Sequence, residues 1–189
     1  MLRSIVVLSA LAATVSLAGC APTETENEPV TAKVLEVSAK GPVIKGTGYT
    51  VHAPKGWGVK KVRIPGFGRA DKHVFDLGDH DGFTDNFSVV VAPEGAYDVE
   101  RMDAAALNEM GTVGARNRRA RTPVVVAGDP TTHVSGRMTK NRVKYAVEQY
   151  HPIHDDQVYV VTFSFSPGLG RATREKTAEA VLNTWTWTS

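Results

Sequence analysis

From Gly46 onward the chain alternates apolar and polar positions in short runs. In Gly48–Pro54 the residues Tyr49, Val51 and Ala53 share one face, and Pro54-Lys55-Gly56-Trp57 then predicts a turn that presents a tryptophan. A second strand is predicted near Lys72–Gly78, with His73, Phe75 and Leu77 on one side. A third runs over Asn86–Ala92 and stops at Pro93. Across residues 97–113 the period lengthens. Val99, Met102, Ala106, Met110 and Val113 recur at helical spacing behind Asp98, a residue type that caps helix N-termini, while Gly111 and Gly114 blur the helix end.

Strand texture returns at Thr122–Ala127 and Thr131–Met138. The strongest segment is a hairpin, Arg142–Ile153 and Gln157–Ser166, joined at His154-Asp155-Asp156; its second arm sets Tyr159, Val161, Phe163 and Phe165 on one face. After the breaker Pro167-Gly168-Leu169-Gly170, a helix is predicted over Arg171–Asn183. It carries Ala178, Val181, Leu182 and Trp185 along one stripe and Glu175, Lys176 and Glu179 outside. An alternating tail, Thr184-Trp185-Thr186-Trp187-Thr188, follows. Several antiparallel strands with a helix inserted among them and a helix after them predict one α+β domain, an antiparallel sheet with helices packed against it.

The first twenty residues have a different character. Arg3 precedes an apolar run from Ile5 to Leu17, shorter than the ~20 residues of a membrane span but suited to a secretory signal. It ends in Leu17-Ala18-Gly19-Cys20, which resembles the bacterial lipobox at every position. The resemblance implies a signal peptide over 1–19, cleavage before Cys20, and a diacylglyceryl thioether on the Cys20 sulfur. A plain secretion signal or an uncleaved anchor are the bland alternatives. Against both, Cys20 is the chain's single cysteine, with no disulfide partner to explain it, and it stands where lipidation requires it. Two or more acyl chains, at about 0.8 kcal/mol per buried methylene, would hold such a chain stably on a bilayer.

Residues 20–45 are expected to form the lipidated N-terminus and a flexible tether. Ala21–Pro29 has no large apolar residue, two prolines and three glutamates. The stretch to Lys45 adds Val34, Leu35 and Val37, enough for a short strand or for contact with the domain. The domain proper is expected over 46–189.

The order Tyr49–Pro54, Gly56-Trp57, Asn86–Ala92, middle helix, Val124 through Ala127-Gly128-Asp129-Pro130, the Val147–Tyr150 and Val158–Phe165 hairpin and the terminal helix resembles the PsbP/Mog1 fold. With a lipobox in front, it is similar to the LpqN-type probable lipoproteins of actinobacteria. The matching motifs are packing and turn features, and no catalytic motif comes with them. The resemblance implies an extracytoplasmic domain that acts by binding, in envelope lipid traffic.

Candidate chemistry is sparse. His151-Pro152-Ile153-His154-Asp155-Asp156 is the one dense set of metal-type ligands, but strand residues three apart point to opposite faces, and Asp-Asp suits a turn. Asp79-His80-Asp81 with Asp85 is a weaker version of the same pattern. There is no G-x-S-x-G motif and no phosphate-binding loop, and Gly66-Phe67-Gly68-Arg69 lacks a third glycine. Non-catalytic action is therefore expected, with no cofactor, no metal and no catalytic residue. Arg116, Arg118, Arg119 and Arg121, and Arg137, Lys140, Arg142 and Lys144, are two basic clusters suited to anionic headgroups or simply to a solvated surface. The overall balance, 22 Lys+Arg against 20 Asp+Glu, gives a net charge of +2 and argues against a nucleic-acid partner. Trp57, Tyr159, Phe163, Phe165, Trp185 and Trp187 are expected in the core, with a groove between sheet and helix as a place for an acyl chain. The expected partners are the membrane, through the lipid on Cys20, and an envelope lipid or glycolipid. The alternative is an adaptor that docks an envelope protein. The expected location is the outer side of the cell membrane.

Overall fold

The computed structural model describes residues 31–60, 70–93 and 101–188. The signal segment, Cys20, the predicted cap Asp98 and Val99 lie outside the described residues. In chain order the elements are β1 (Val43–Lys45), β2 (Tyr49–His52), β3 (Trp57–Gly58), β4 (Lys72–Asp76), β5 (Asn86–Val91), α1 (Met102–Thr112), β6 (Arg116–Ala120), β7 (Val124–Val126), β8 (Asp129–Lys140), β9 (Val143–His151), β10 (Ile153–His154), β11 (Gln157–Phe165), α2 (Arg171–Leu182) and β12 (Thr186–Trp187). The large sheet has the order β3-β4-β5-β11-β9-β8-β6, and the small one β1-β2-β12. Every strand pair in both is antiparallel. This is the α+β architecture that the alternation predicts.

Three hairpins share one turn chemistry. Ala127-Gly128, Asn141-Arg142 and Asp155-Asp156 all have positive φ and each joins two adjacent strands. Two consecutive residues of positive φ give the turn whose twist matches the flanking strands. Gly128 suits it at no cost; Ala127, at φ 50°, is held there by the β7–β8 pairing on either side.

The period-2 pattern sorts β11 into two faces. Tyr159, Val161, Phe163 and Phe165 point to one side, where α2 and β2 lie. The side chains of Phe87, Val89 and Val74 join them there from β5 and β4, with Tyr150 from β9. Tyr49 stacks on Trp185 at 4.3 Å, and Trp187 closes on Tyr159 at 5.1 Å between ring centroids. Trp57, Tyr159, Phe163, Phe165 and Trp185 are thus core residues, as expected, and Trp187 is half-buried against them.

The other side of the sheet carries α1. Met110 and Ala106 pack on Val134 and Val147, with Ala115 beside them. Gly136 permits this approach, since a Cβ there would come within 2.8 Å of the Met110 methyl carbon. Of the expected helical stripe, Met102, Ala106 and Met110 are buried, but Val113 is exposed. Arg101 stands at the helix start and makes no side-chain capping hydrogen bond.

The packed part of the chain begins before Gly46. Lys33 bridges Val124, the Ala39 N–H donates to the Ala180 carbonyl, and Leu35 and Ile44 belong to the core. The 20–45 tether is corrected accordingly: its second half is part of the domain. A second difference is β6. Arg116–Ala120 has no large apolar side chain, so no periodicity marks it, yet its backbone pairs with β8 at the sheet edge. Charged side chains are usual on such an edge, where they discourage pairing with another chain.

Candidate functional site

The interface between α2 and the sheet leaves no room for a ligand. Phe163 is fully buried and Trp185 nearly so, which closes the helix–sheet interface where the acyl groove is expected. The expectation is corrected by the opposite face. There α1 docks on β6 and β8 and leaves β5 and β11 less covered. The even-numbered residues of β11, Val160, Thr162 and Ser164, then form the floor of a hollow of about 460 Å³ with Ser88, Val90, Val147 and Gln149. Glu109 and Met110 of α1, with Val113 just past its end, make one wall, and Met138, Lys140 and Tyr145 the other end.

Two further hollows adjoin it. One, of about 320 Å³, lies under the first half of α1 and shares Val90, Glu109 and Val160 with the middle one. The other, of about 400 Å³, lies beyond Tyr145 and shares Lys140, Tyr145 and Ser164. Phe75, Phe83 and Val143 line it, and Phe83 stacks on Tyr145 at 5.0 Å. Burial raises the Tyr145 phenol above its ordinary pKa, so it stays a neutral donor. Together the three hollows make one groove across the sheet, apolar with scattered hydroxyl and amide groups. That is the usual character of small-molecule sites of 300–1,000 Å³.

The histidine pair is separated. His151 faces α1 and is 2% exposed, with Val158, Met102 and Ala106 around the same hollow. His154 turns the other way and stacks on Trp187 at 4.5 Å. Asp155 and Asp156 form the turn. Among the described residues no group of three His, Cys, Asp or Glu side chains is placed to hold a metal ion. The Asp79–Asp85 segment uses its carboxylates on its own backbone: Asp79 accepts from the Asp81 and Asp85 N–H groups, and Asp81 from that of Phe83. Asp85 accepts from the Ser166 N–H at 2.7 Å. Burial pushes the Asp85 carboxyl up to about 6, against the Ser166 hydrogen bond and with help from Asp79, Asp81 and Asp76.

The basic clusters do not converge. Arg118 donates to the Leu107 carbonyl of α1, whereas Arg121 donates to Ser135 Oγ at 2.7 Å. Arg116 lies opposite Arg137 at the β6–β8 edge, and of the second cluster Lys140 lines the groove.

Composition and spacing do not reveal a buried charged set on the α2 side. Glu148 is fully buried; its Oε1 accepts from Arg174 Nε at 2.9 Å, and its Oε2 lies 3.2 Å from His133 Nε2. Arg174 also donates to the Leu169 carbonyl, and His133 stacks on Tyr150 at 4.1 Å. Such a set ties α2 to β9 and β8 in one register. The signal was present: Arg174 precedes Ala178 by one helical turn, so it stands on the apolar stripe and requires a buried partner.

No protein-family model and no curated protein matches the sequence. Solved structures do. LpqN, described as involved in cell envelope biogenesis of Mycobacterium tuberculosis, superposes with a TM-score of 0.51 and 15% identity over 76% of this chain and 86% of its own. The cyanobacterial PsbP of Synechocystis gives 0.50 and 16% over 75% and 87%. A protein from Bacteroides thetaiotaomicron gives 0.52 and 12% over 81% of this chain, which spans 50% of that protein's length. At these identities the likeness defines the fold: the domain is PsbP-like, an antiparallel sheet with two helices among the described residues.

Proposed function

We propose that this chain is a lipoprotein held by Cys20 on the outer side of the cell membrane, and that its domain binds an envelope lipid or glycolipid without catalysis. The observation that carries the binding is the groove on the α1 face. Its three adjoining hollows run across the sheet, and their walls offer apolar surface with single polar groups rather than a convergent catalytic set. The anchor rests on Leu17-Ala18-Gly19-Cys20. An LpqN-type relationship supports an envelope role, because LpqN shares the fold and is described as an envelope biogenesis protein.

One observation favours the adaptor alternative: the sheet–α2 interface, where an acyl chain is first expected, is closed by Phe163 and Trp185. Native mass spectrometry of the mature chain purified from its own envelope separates the two. Co-purifying lipid supports carriage; an apo mass together with a reproducible crosslinked protein partner rejects it. Mass analysis of the N-terminal peptide tests the anchor, which fails if the Cys20 thiol is unmodified or residues 1–19 are retained.

A further inference from the structure

β6 is a sheet edge that carries one sign of charge. It pairs with β8 on one side only. Arg116–Ala120 are all exposed, and Arg116, Arg118 and Arg119 are followed at once by Arg121. Among the described residues none of these four arginines pairs with a carboxylate. Like charges on one short edge repel, so the edge favours an anionic neighbour. Its arginines serve both faces of the sheet. Arg118 reaches the Leu107 carbonyl on the α1 side. Arg119 lies opposite Ser135, whose neighbour Val134 faces α1, so Arg119 is on the other side.

The chain that enters the fold at Thr31 is aimed from this edge. Lys33 bridges Val124 in the parallel sense: its N–H donates to the Pro123 carbonyl at 2.8 Å, and its carbonyl accepts from the Val125 N–H at 2.9 Å. β7 follows β6 along the same side of β8. A segment parallel to β7 therefore arrives from beside β6. The sequence that precedes Thr31 is Thr23-Glu24-Thr25-Glu26-Asn27-Glu28-Pro29-Val30, acidic at alternate positions and without a single Lys or Arg. Counted back residue for residue from the Lys33–Val124 pair, Glu28 falls beside Arg119, Glu26 beside Asn117 and Glu24 just short of Arg116. A backbone ladder cannot carry this pairing alone, because Pro123 and Pro29 have no N–H to donate.

We propose that the β6 edge is the docking site of this chain's own acidic segment, Glu24–Glu28, held by glutamate–arginine pairs. Such pairs are weak singly at a surface, but here the partners are joined through Lys33, so no second molecule has to be captured. Arginines on both faces meet the glutamates whichever way the segment turns. The consequence for the anchor proposed above is a short leash. Only Ala21-Pro22-Thr23 would separate a lipidated Cys20 from the docked segment, about 13 Å when extended, which would bring the β6 edge to the bilayer.

The chain from Ala21 onward keeps every described residue and contains no cysteine, so Asn27→Cys places one nitroxide label in the segment. Paramagnetic broadening is read by NMR at the amides of Arg116–Ala120, against those of β3 and β4 at the opposite end of the sheet. Docking predicts strong broadening of β6 at low ionic strength. It also predicts that this broadening drops severalfold at 1 M salt, where the screening length falls to about 3 Å. The combined change Glu24→Gln, Glu26→Gln and Glu28→Gln should do the same, since three exposed pairs together weight the docked form by on the order of tenfold. Arg116→Gln with Arg119→Gln, both at exposed positions, should reproduce most of that loss from the other partner. Equal broadening of β6 in the parent and in the triple glutamine chain overturns the proposal, because nearness to Lys33 alone would then explain it. Phosphatidylglycerol vesicles supply the rival occupant: β6 signals that respond to vesicles, in a chain whose label leaves them unbroadened without vesicles, assign the arginines to the membrane and overturn it as well. Neither result bears on the lipidation of Cys20, which the mass of the N-terminal peptide decides.

Discussion

β11 presents two chemistries from one strand. Its odd residues, Tyr159, Val161, Phe163 and Phe165, are buried between the sheet and α2, where rings stack at close range. Its even residues from Val160 to Ser164 are half-buried and shrink along the strand from Val through Thr to Ser, under a helix that packs on β6 and β8 instead. One face is fully buried and stabilises the fold; the other is left concave. The difference teaches where stability and binding are located: a single antiparallel sheet can devote one side to each, because side chains alternate.

The contrast is sharpest at adjacent positions. Phe163→Ala should cost about 3–5 kcal/mol in chemical denaturation, while Ser164→Ala, one residue on and facing the groove, should stay within about 0.5 kcal/mol. Comparable losses at both positions would mean that the second face is also a closed core.

The buried charges on the α2 side come next. Glu148→Gln leaves Arg174 without its carboxylate in a buried site and should destabilise by about 3 kcal/mol. The double change Glu148→Gln with Arg174→Met should recover part of that loss, since the unpaired charge goes with it.

Two groups give pH dependences of opposite sign. His151 has a folded pKa near 4, below its unfolded value of about 6.5, so its contribution is complete above pH 6.5 and is lost as pH falls toward 4. The full effect is about 3 kcal/mol. Asp85, at about 6 in the fold and near 4 when unfolded, acts the other way: stability declines as pH rises from about 4 to 6. Stability measured between pH 4 and 6 should decline with rising pH in His151→Phe, where the Asp85 contribution remains alone, and should rise more steeply with pH in Asp85→Asn, which removes the opposing contribution.

How much of this was legible depends on whether side-chain pattern or backbone pairing makes the element. The hairpin from Val143 to Phe165 reads directly, because alternation over a whole strand has one interpretation. β6 does not, because Arg116–Ala120 pairs through its main chain while its side chains are in solvent. Leu35 and Ile44 each follow a valine, Val34 and Val43, that is exposed, and only tertiary contact shows which of the two neighbours is buried. The groove is the least legible feature. Thr162 and Ser164 hint that one face is not a tight core, but where α1 docks follows from Gly136, Val134 and Val147 meeting Met110 and Ala106, which no local pattern encodes.

Small effects complete the comparison. Val113 is 62% exposed at the groove wall, so Val113→Thr should change stability by less than about 0.5 kcal/mol, measured by thermal unfolding. A larger loss would place this residue in packing that the fold does not show.

The central claim is that ligand sits on the α1 face. Its rival on the other side is the hollow of about 490 Å³ between residues 33–37 and α2, rimmed by Glu175, Lys176 and Glu179. Photolabelling of the chain with a diazirine-bearing fatty alcohol, followed by peptide mapping, distinguishes them directly. The account predicts label on Met102–Thr112 and on Gln157–Phe165, reduced by Val160→Trp. Label confined to Arg171–Leu182 and residues 33–37, unchanged by Val160→Trp, would contradict it.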